Sequence, residues 1–380
     1  MTTVPLEELE NFKENAYKIC QEFLGDIWDE LPLSEFSFSV VSGGLSNTLY
    51  RCALPENAIV KNPKTPRQVL LRIYGPLQED LNVVVKEAAT FMLLAERKLG
   101  PKLYGVFPNG RLEEFIPSRT LLGKDYRVMY PAIARELAKI HALDVPIRKI
   151  PDFFPVNMKK WLNDVETDSK LKKNTTFEHS DLYAESIEWL TEEMKKSNSP
   201  VVYCHNDLQG GNILFREDSP SEQNPRIMLI DFEFGAYNYR GFDLANQFAE
   251  WCFDYNTEEH PYFEYSSEKF PTEEEQISFI RAYLHQLVEE GVIPSTSVED
   301  EIKVHLQEIE LFSMAVHLLW SLWSWKMSFR SSMDFAYREH GKTRLNVFRA
   351  IKKKYRSRLM CNGDSAPNHE PGNELNEDHH

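Results

Sequence analysis

Apolar positions between Glu7 and Leu24 recur near helical spacing with charged residues between them, which predicts an amphipathic leading helix packed on the next segments of the chain. The period then shortens. Phe36 to Leu54 (FSFSVVSGGLSNTLYRCAL) alternates, with β-branched and aromatic residues on both sides of a Gly-Gly turn, and predicts a hairpin. A Pro-rich loop separates it from a further strand, Val69 to Gly75. Lys86 to Leu99 has helical composition and stops at Gly100-Pro101. Lys102 to Ile116 then offers two short strands about an Asn-Gly turn. From Arg119 onward helices dominate, among them Pro131 to Leu143 and Tyr183 to Lys196. Two polar breaks in apolar runs interrupt them, VVYCHNDLQGGNILF (Val201 to Phe215) and RIMLIDFEFG (Arg226 to Gly235). In the second, Asp231 lies between two strand-like segments, Ile227 to Ile230 and Phe232 to Phe234.

Composition narrows the class. With 380 residues, 42% of them hydrophobic, the chain can bury one large core or two lobes. Lys and Arg total 43 against 59 for Asp and Glu, a formal charge of -16, so most of the surface would repel nucleic acid. Five scattered cysteines without a CxxC pair suggest neither a disulfide framework nor a zinc site, which fits a reducing, cytoplasmic setting. The amino terminus has no apolar signal region. The longest apolar run, Leu311 to Trp325, is too short to span a bilayer and contains His317, so it predicts a buried helix and no membrane insertion. The polar tail after Leu359 is expected to be disordered. The basic run Lys352 to Arg358 reads as the solvated end of the last helix, with a nuclear signal or membrane patch as alternatives.

The polar breaks carry the chemistry. Asp207 and Asn212 stand five apart in one loop, and Asp231 follows downstream. Phosphoryl transfer requires a carboxylate beside the attacking hydroxyl, then an Asn and a second Asp to grip Mg²⁺ through hard oxygen atoms. His205-Asn206-Asp207, four residues, Asn212, and then Asp231-Phe232-Glu233 echo the protein-kinase pattern HRDxxxxN and DFG. Either tripeptide alone would pass for a turn; in this order and spacing they point to a phosphotransferase. Gly210 and Gly211 are read as letting the loop turn sharply, and His205-Asn206 as shaping it. Upstream, Ser42, Gly43, Gly44, Leu45, Ser46 and Asn47 sit between two strands, where glycines let backbone amides approach phosphates. Arg72 stands where kinases place a phosphate-pairing Lys, with Glu87 on the next helix as a candidate partner. No Walker motif is present.

VVSGGLSN, LGPKLYG, EFIPSR, CHNDLQGGNIL, LIDFEFGAYNYRGFDLANQFAEW and LLWSLWS together resemble the choline/ethanolamine kinase family, and more closely its choline kinase branch. The resemblance runs from about Phe36 to about Tyr355. It implies an α+β, two-lobed, protein-kinase-like fold, with a small β-rich amino-terminal lobe (36–116) and a larger, mostly helical lobe (117–359). A helical leader (1–35) and the tail (360–380) flank them. It also implies ATP-dependent phosphorylation of choline to phosphocholine, the first step of the choline route to phosphatidylcholine, with Mg²⁺ and frequent dimers. By position, the family makes Asp207 the base, puts Gln209 near the transferred phosphate, and makes Asn212 and Asp231 the Mg²⁺ ligands. Ser42 to Asn47 and Arg72 would embrace the ATP phosphates. Glu114, Phe115, Ile116 and Arg119 would form the adenine hinge, and Asp243 would brace the catalytic loop.

A quaternary ammonium has no N–H to donate, so recognition requires aromatic faces and a nearby carboxylate. Trp320 and Trp323 share a helix face, Glu250 and Tyr255 follow the DFE segment, and Tyr337 is a further wall. The family's choline pocket uses the positions of Glu250, Tyr255, Trp320 and Trp323. A Trp pair at this spacing also fits plain core, whereas a Glu in QFAEWCF is harder to explain without a cation. Choline kinases often carry Tyr where this chain has His340. His141 and His317 read as structural. An ethanolamine kinase, an aminoglycoside-type phosphotransferase and an inactive kinase-like scaffold remain as rivals.

Overall fold

The structure is a computed structural model that describes residues 6–41, 47–74, 81–171, 177, 179–216, 227–331 and 333–361. Helix α1 (Leu6–Leu24) and the short α2 (Ile27–Glu30) precede strands β1 (Ser37–Val41), β2 (Asn47–Ala53) and β3 (Gln68–Tyr74). Helix α3 (Leu81–Glu96) then leads to β4 (Leu103–Phe107) and β5 (Gly110–Glu114). The five strands form one antiparallel sheet in the order β1-β2-β3-β5-β4. Alternation explains why it folds. Tyr50, Cys52, Val69, Leu71 and Leu112 all point to one side and bury against Ala16 and Cys20 of the leading helix and against Trp28.

Next come β6 (Ser118–Thr120), α4 (Tyr126–His141), α5 (Phe153–Leu171) and α6 (Ser180–Lys196), then β7 (Val201–Cys204), β8 (Ile213–Arg216), β9 (Ile227–Leu229) and β10 (Ala236–Tyr239). Strands β6-β8-β9 make a small sheet at the base of the cleft, and β10 pairs with β7. Helix α7 (Arg240–Glu250), a two-residue pair β11 (Phe253–Asp254) and β12 (Glu264–Tyr265), and helices α8 (Glu273–Glu289), α9 (Val298–Arg330) and α10 (Tyr337–Cys361) complete the chain. This is the two-lobed, protein-kinase-like arrangement of a small sheet lobe on a helical lobe.

The Leu311–Trp325 run is buried almost all round within α9, a 33-residue helix roughly 50 Å long around which α5, α7 and α10 pack. Among the described residues no helix is long and apolar enough to cross a membrane. Three boundaries differ from the sequence pattern. The β-branched run LNVVV hides the first turn of α3, which begins at Leu81 instead of Lys86. Helix α4 starts five residues before Pro131 and carries that proline inside it. The last helix extends to Cys361, past the expected end of the lobe at Leu359, and residues 362–380 lie outside the described set.

Candidate active site

Every residue of α7 is buried, so the carboxylates it carries must find partners. Near its start Asp243 accepts the backbone N–H of His205 on Oδ2 and that of Asn206 on Oδ1, both at 2.7 Å, and His141 Nε2 lies 3.1 Å away. Three donors on one carboxylate fix the loop after β7. Asn206 adopts a left-handed backbone (φ 66°), a costly state for a non-glycine residue. Its side chain holds it there, with Nδ2 donating to Phe234 O (2.9 Å) and Oδ1 accepting from Asn238 Nδ2 (2.8 Å).

His205 donates from Nε2 to Ile230 O (2.8 Å) and accepts the Asp207 N–H on Nδ1 (3.3 Å). Burial pushes its pKa down, so the ring is a neutral link between the loop and the Asp231 segment. The glycines act differently from the sequence reading. Neither Gly210 nor Gly211 has positive φ. Gly210 is needed for close approach, because a Cβ there would lie 2.7 Å from Leu121 O.

Asn212 reaches back to Asp207, its Nδ2 donating to the backbone oxygen at 2.9 Å and to Oδ2 at 3.0 Å. Burial first, then the carboxylates of Glu250, Glu233 and Asp231, push the Asp207 carboxyl well up from its ordinary range, while the Asn212 bond opposes them. Asp231 is left-handed (φ 64°, ψ 63°) and opens a tight helical turn, Phe232–Phe234, where the sequence pattern suggested a strand. That turn aims Asp231 into the cleft, where Oδ1 lies 3.7 Å from Arg72 Nη1. The oxygen atoms of Asn212 and Asp231 make a hard donor set that fits Mg²⁺, the Asn212 amide nitrogen being engaged by Asp207. Gln209 folds back on its own loop and accepts the Gly211 N–H (2.8 Å).

A cavity of about 410 Å³ separates the five-stranded sheet from the β6-β8-β9 sheet. Leu49, Leu70, Leu214 and Leu229 give it an apolar middle suited to a flat ring, while Arg72 and Asp231 mark a polar end. Glu114, Phe115, Ile116 and Arg119 line it, Arg119 being paired with Asp125 at 2.6 Å and lying over the Phe215 ring. Ser42 to Ser46 and the Asn47 side chain lie outside the described residues, as does the Glu87 side chain. Among the described residues, Arg72 bonds Glu113 Oε1 at 2.9 Å. Sequence reasoning missed Arg111, the register partner of Arg72 across β3 and β5, which shares that oxygen at 3.6 Å and lies over Phe91. Without Glu113, the two facing cations would repel.

Beyond the loop, rings follow one another. Phe234 meets Trp320 edge-on (5.6 Å between centroids), Trp320 meets Trp323 (5.7 Å), and Trp323 meets Tyr337 (5.8 Å). Tyr337 meets Phe335 (4.8 Å), and Phe335 meets Tyr255 (6.4 Å). Trp320 is oriented by its Nε1–H bond to Asn246 Oδ1 on α7 (2.8 Å). Glu250, at the far end of α7, is paired with Arg344 of α10, whose Nη2 donates to Glu250 Oε1 (2.5 Å) and to the Tyr255 hydroxyl (2.9 Å). All five sequence-predicted cage residues therefore belong to one network.

A family profile described as choline/ethanolamine kinase matches residues 38–349. The chain belongs to the choline/ethanolamine kinase family. Choline/ethanolamine kinase of Rattus norvegicus is 38% identical over 340 residues, spanning 88% of this chain and 85% of the relative. Choline kinase alpha of Mus musculus is 36% identical, spanning 90% and 81%. The crystal structure of choline kinase from Cryptosporidium parvum superposes with a TM-score of 0.75 at 26% identity, over 92% of this chain and 97% of that one. The protein is thus a kinase that binds ATP and phosphorylates choline or ethanolamine.

Within this kinase, His340 packs against the Tyr255 and Phe335 rings. It is buried, with Nδ1 bonded to Ser324 Oγ (2.7 Å) and Nε2 accepting from Arg344 Nε (3.3 Å). Burial and the Arg344 charge push its pKa well down, and His317 shares both causes. Arg344, Asn246, Phe234 and Phe335 escaped the sequence reading. Arg344 is one of nine Lys and Arg residues along α10, and its burial and its pairing with Glu250, which only the packing of α10 reveals, set it apart.

Proposed function

We propose that this kinase transfers the γ-phosphoryl group of ATP to choline, giving phosphocholine. The run of ring faces from Phe234 through Trp320 and Trp323 to Tyr337 carries the reading, because a trimethylammonium group can be held by π faces but not by hydrogen bonds. Asp207 accepts the choline hydroxyl proton as that oxygen attacks the γ-phosphorus and the bond to ADP breaks in line. A carboxylate whose pKa is raised by its surroundings is a stronger base for this step. Asn212 and Asp231 hold Mg²⁺, which when bound offsets phosphate charge. Arg72, the 42–47 segment, Glu114 to Ile116 and Arg119 take the nucleotide, and Gln209, on the catalytic loop, lies near the transferred phosphate. Glu250, Tyr255, Trp320, Trp323 and Tyr337 take the ammonium.

Ethanolamine is the second reading, favoured by Glu250 Oε2, which is buried without a hydrogen-bond partner and would accept from a primary ammonium. Paired steady-state assays decide: the proposal expects a higher kcat/KM for choline, and a higher value for ethanolamine overturns it. The family resemblance supports a homodimer in the cytoplasm, to be checked by analytical ultracentrifugation and by microscopy of the tagged protein. Limited proteolysis near 35, 116 and 360 checks the proposed domain division.

A further inference from the structure

The ammonium pocket is not the bare carboxylate that a cation site suggests. Glu250 and Arg344 side chains are 4% and 1% exposed, and the guanidinium takes one Glu250 oxygen and the Tyr255 oxygen with a single nitrogen. Its Nε is engaged by His340, and its face rests on Phe253. The arginine thus fixes an acidic and a phenolic wall at once, and cancels the formal charge of the former. Any substrate ammonium then meets a pocket whose Glu250 Oε1 and Tyr255 hydroxyl already accept hydrogen bonds. A primary ammonium needs such acceptors; a methylated one needs ring faces, which the Arg344 hydrogen bonds do not engage.

We propose that Arg344 is a positioning and specificity-determining residue, which by holding Glu250 and Tyr255 shifts the pocket toward methylated ammonium substrates and away from primary ones. The inference rests on the reading of Trp320, Trp323, Tyr255 and Glu250 as the ammonium site. Arg344 itself touches no reacting atom. It acts through the two side chains it holds.

The experiment measures kcat and KM for choline and for ethanolamine, and KM for ATP, in the wild type, Arg344→Met, Arg344→Lys, Glu250→Gln and the double variant Glu250→Gln/Arg344→Met. The quantity read is the ratio of kcat/KM for choline to that for ethanolamine. Arg344→Met should lower the ratio about tenfold, by raising choline KM while freeing Glu250 Oε1 for an ammonium N–H, with ATP KM within about twofold of wild type. Arg344→Lys keeps the charge without the fork and should lower the ratio by about threefold. In the Glu250→Gln background, Arg344→Met should change it by less than about twofold, since the group it positions is already altered.

Equal loss for both substrates in folded Arg344→Met overturns the proposal, because a merely structural role lowers both alike. If that variant does not fold, an unchanged ratio in Arg344→Lys overturns it instead. Wild-type protein inactive on both amino alcohols would defeat the site reading itself, a distinguishable result.

Discussion

Helix α7 buries two carboxylates two turns apart, Asp243 near its start and Glu250 at its end, and they are satisfied in opposite ways. Asp243 receives two backbone N–H groups and His141, and it lies in the first turn, where the helix dipole favours negative charge. Glu250 sits in the last turn, where the dipole disfavours it, and is offset by one guanidinium, with Oε2 left without a partner. The first arrangement locks a loop into one shape. The second leaves a buried acceptor free to take a donor. The proposed catalytic loop and the proposed substrate wall thus share one buried helix, and each can be disturbed separately.

The largest effect belongs to the group the rigid end delivers. Asp207→Asn removes the proposed base and should lower kcat by about 10²- to 10⁴-fold, the span for losing general base catalysis. Thermal unfolding of the variant should stay near wild type, because Asn212 Nδ2 can still bond the residue 207 backbone oxygen. Near-normal turnover in a steady-state ATP assay would remove Asp207 from the chemistry.

Asp243→Ala tests the brace. It strands two buried backbone N–H groups and His141, and breaking such a buried charged network costs about 3–5 kcal/mol. Denaturant unfolding should show that loss, and kcat should fall with it as Asp207 loses its placement. A variant as stable as wild type would show that the loop after β7 holds its shape without Asp243.

Much of this contrast was legible in the residues. Alternation marked the sheet lobe, and the spacing of Asp207, Asn212 and Asp231 marked the loop and turn that the fold brings to one cleft, because local pattern and chemistry coincide there. What pattern could not supply was pairing between distant elements. Arg344 reads like any other cation of α10 until α10 is laid against α7, and Glu113 reads like an ordinary strand residue until two arginines meet it across the sheet. The DFE segment looked like a strand because Phe232 and Phe234 alternate. The left-handed Asp231 makes it a turn, and such a backbone leaves no mark in the hydrophobic pattern.

At the receptive end, Trp323→Ala removes the half-buried ring between Trp320 and Tyr337. A cation–π contact is worth about 0.5–2 kcal/mol, which corresponds to roughly a 2- to 30-fold rise in choline KM. ATP KM should not move, since Trp323 lies outside the cavity lining. A choline KM equal to that of wild type would take Trp323 out of the cage.

The smallest effect separates the two ends by pH. His340, beside the proposed cage residue Tyr255, faces Arg344, Tyr255 and His317 and is held neutral by burial and the Arg344 charge, with a folded pKa well below its unfolded value. Below the unfolded pKa of about 6.5 the unfolded chain therefore takes up a proton that the folded chain refuses. Stability contributed by the neutral ring is complete above that pH and is lost as pH falls. Over the unit from about 6.5 to 5.5 the loss comes to about 1 kcal/mol for this one group. His340→Gln cannot titrate, so its unfolding free energy should fall less steeply across that window than that of wild type, by up to this amount. Parallel pH profiles for the two proteins would mean that His340 takes up its proton in the folded state, and with it that the Arg344 charge does not govern the floor of the cage.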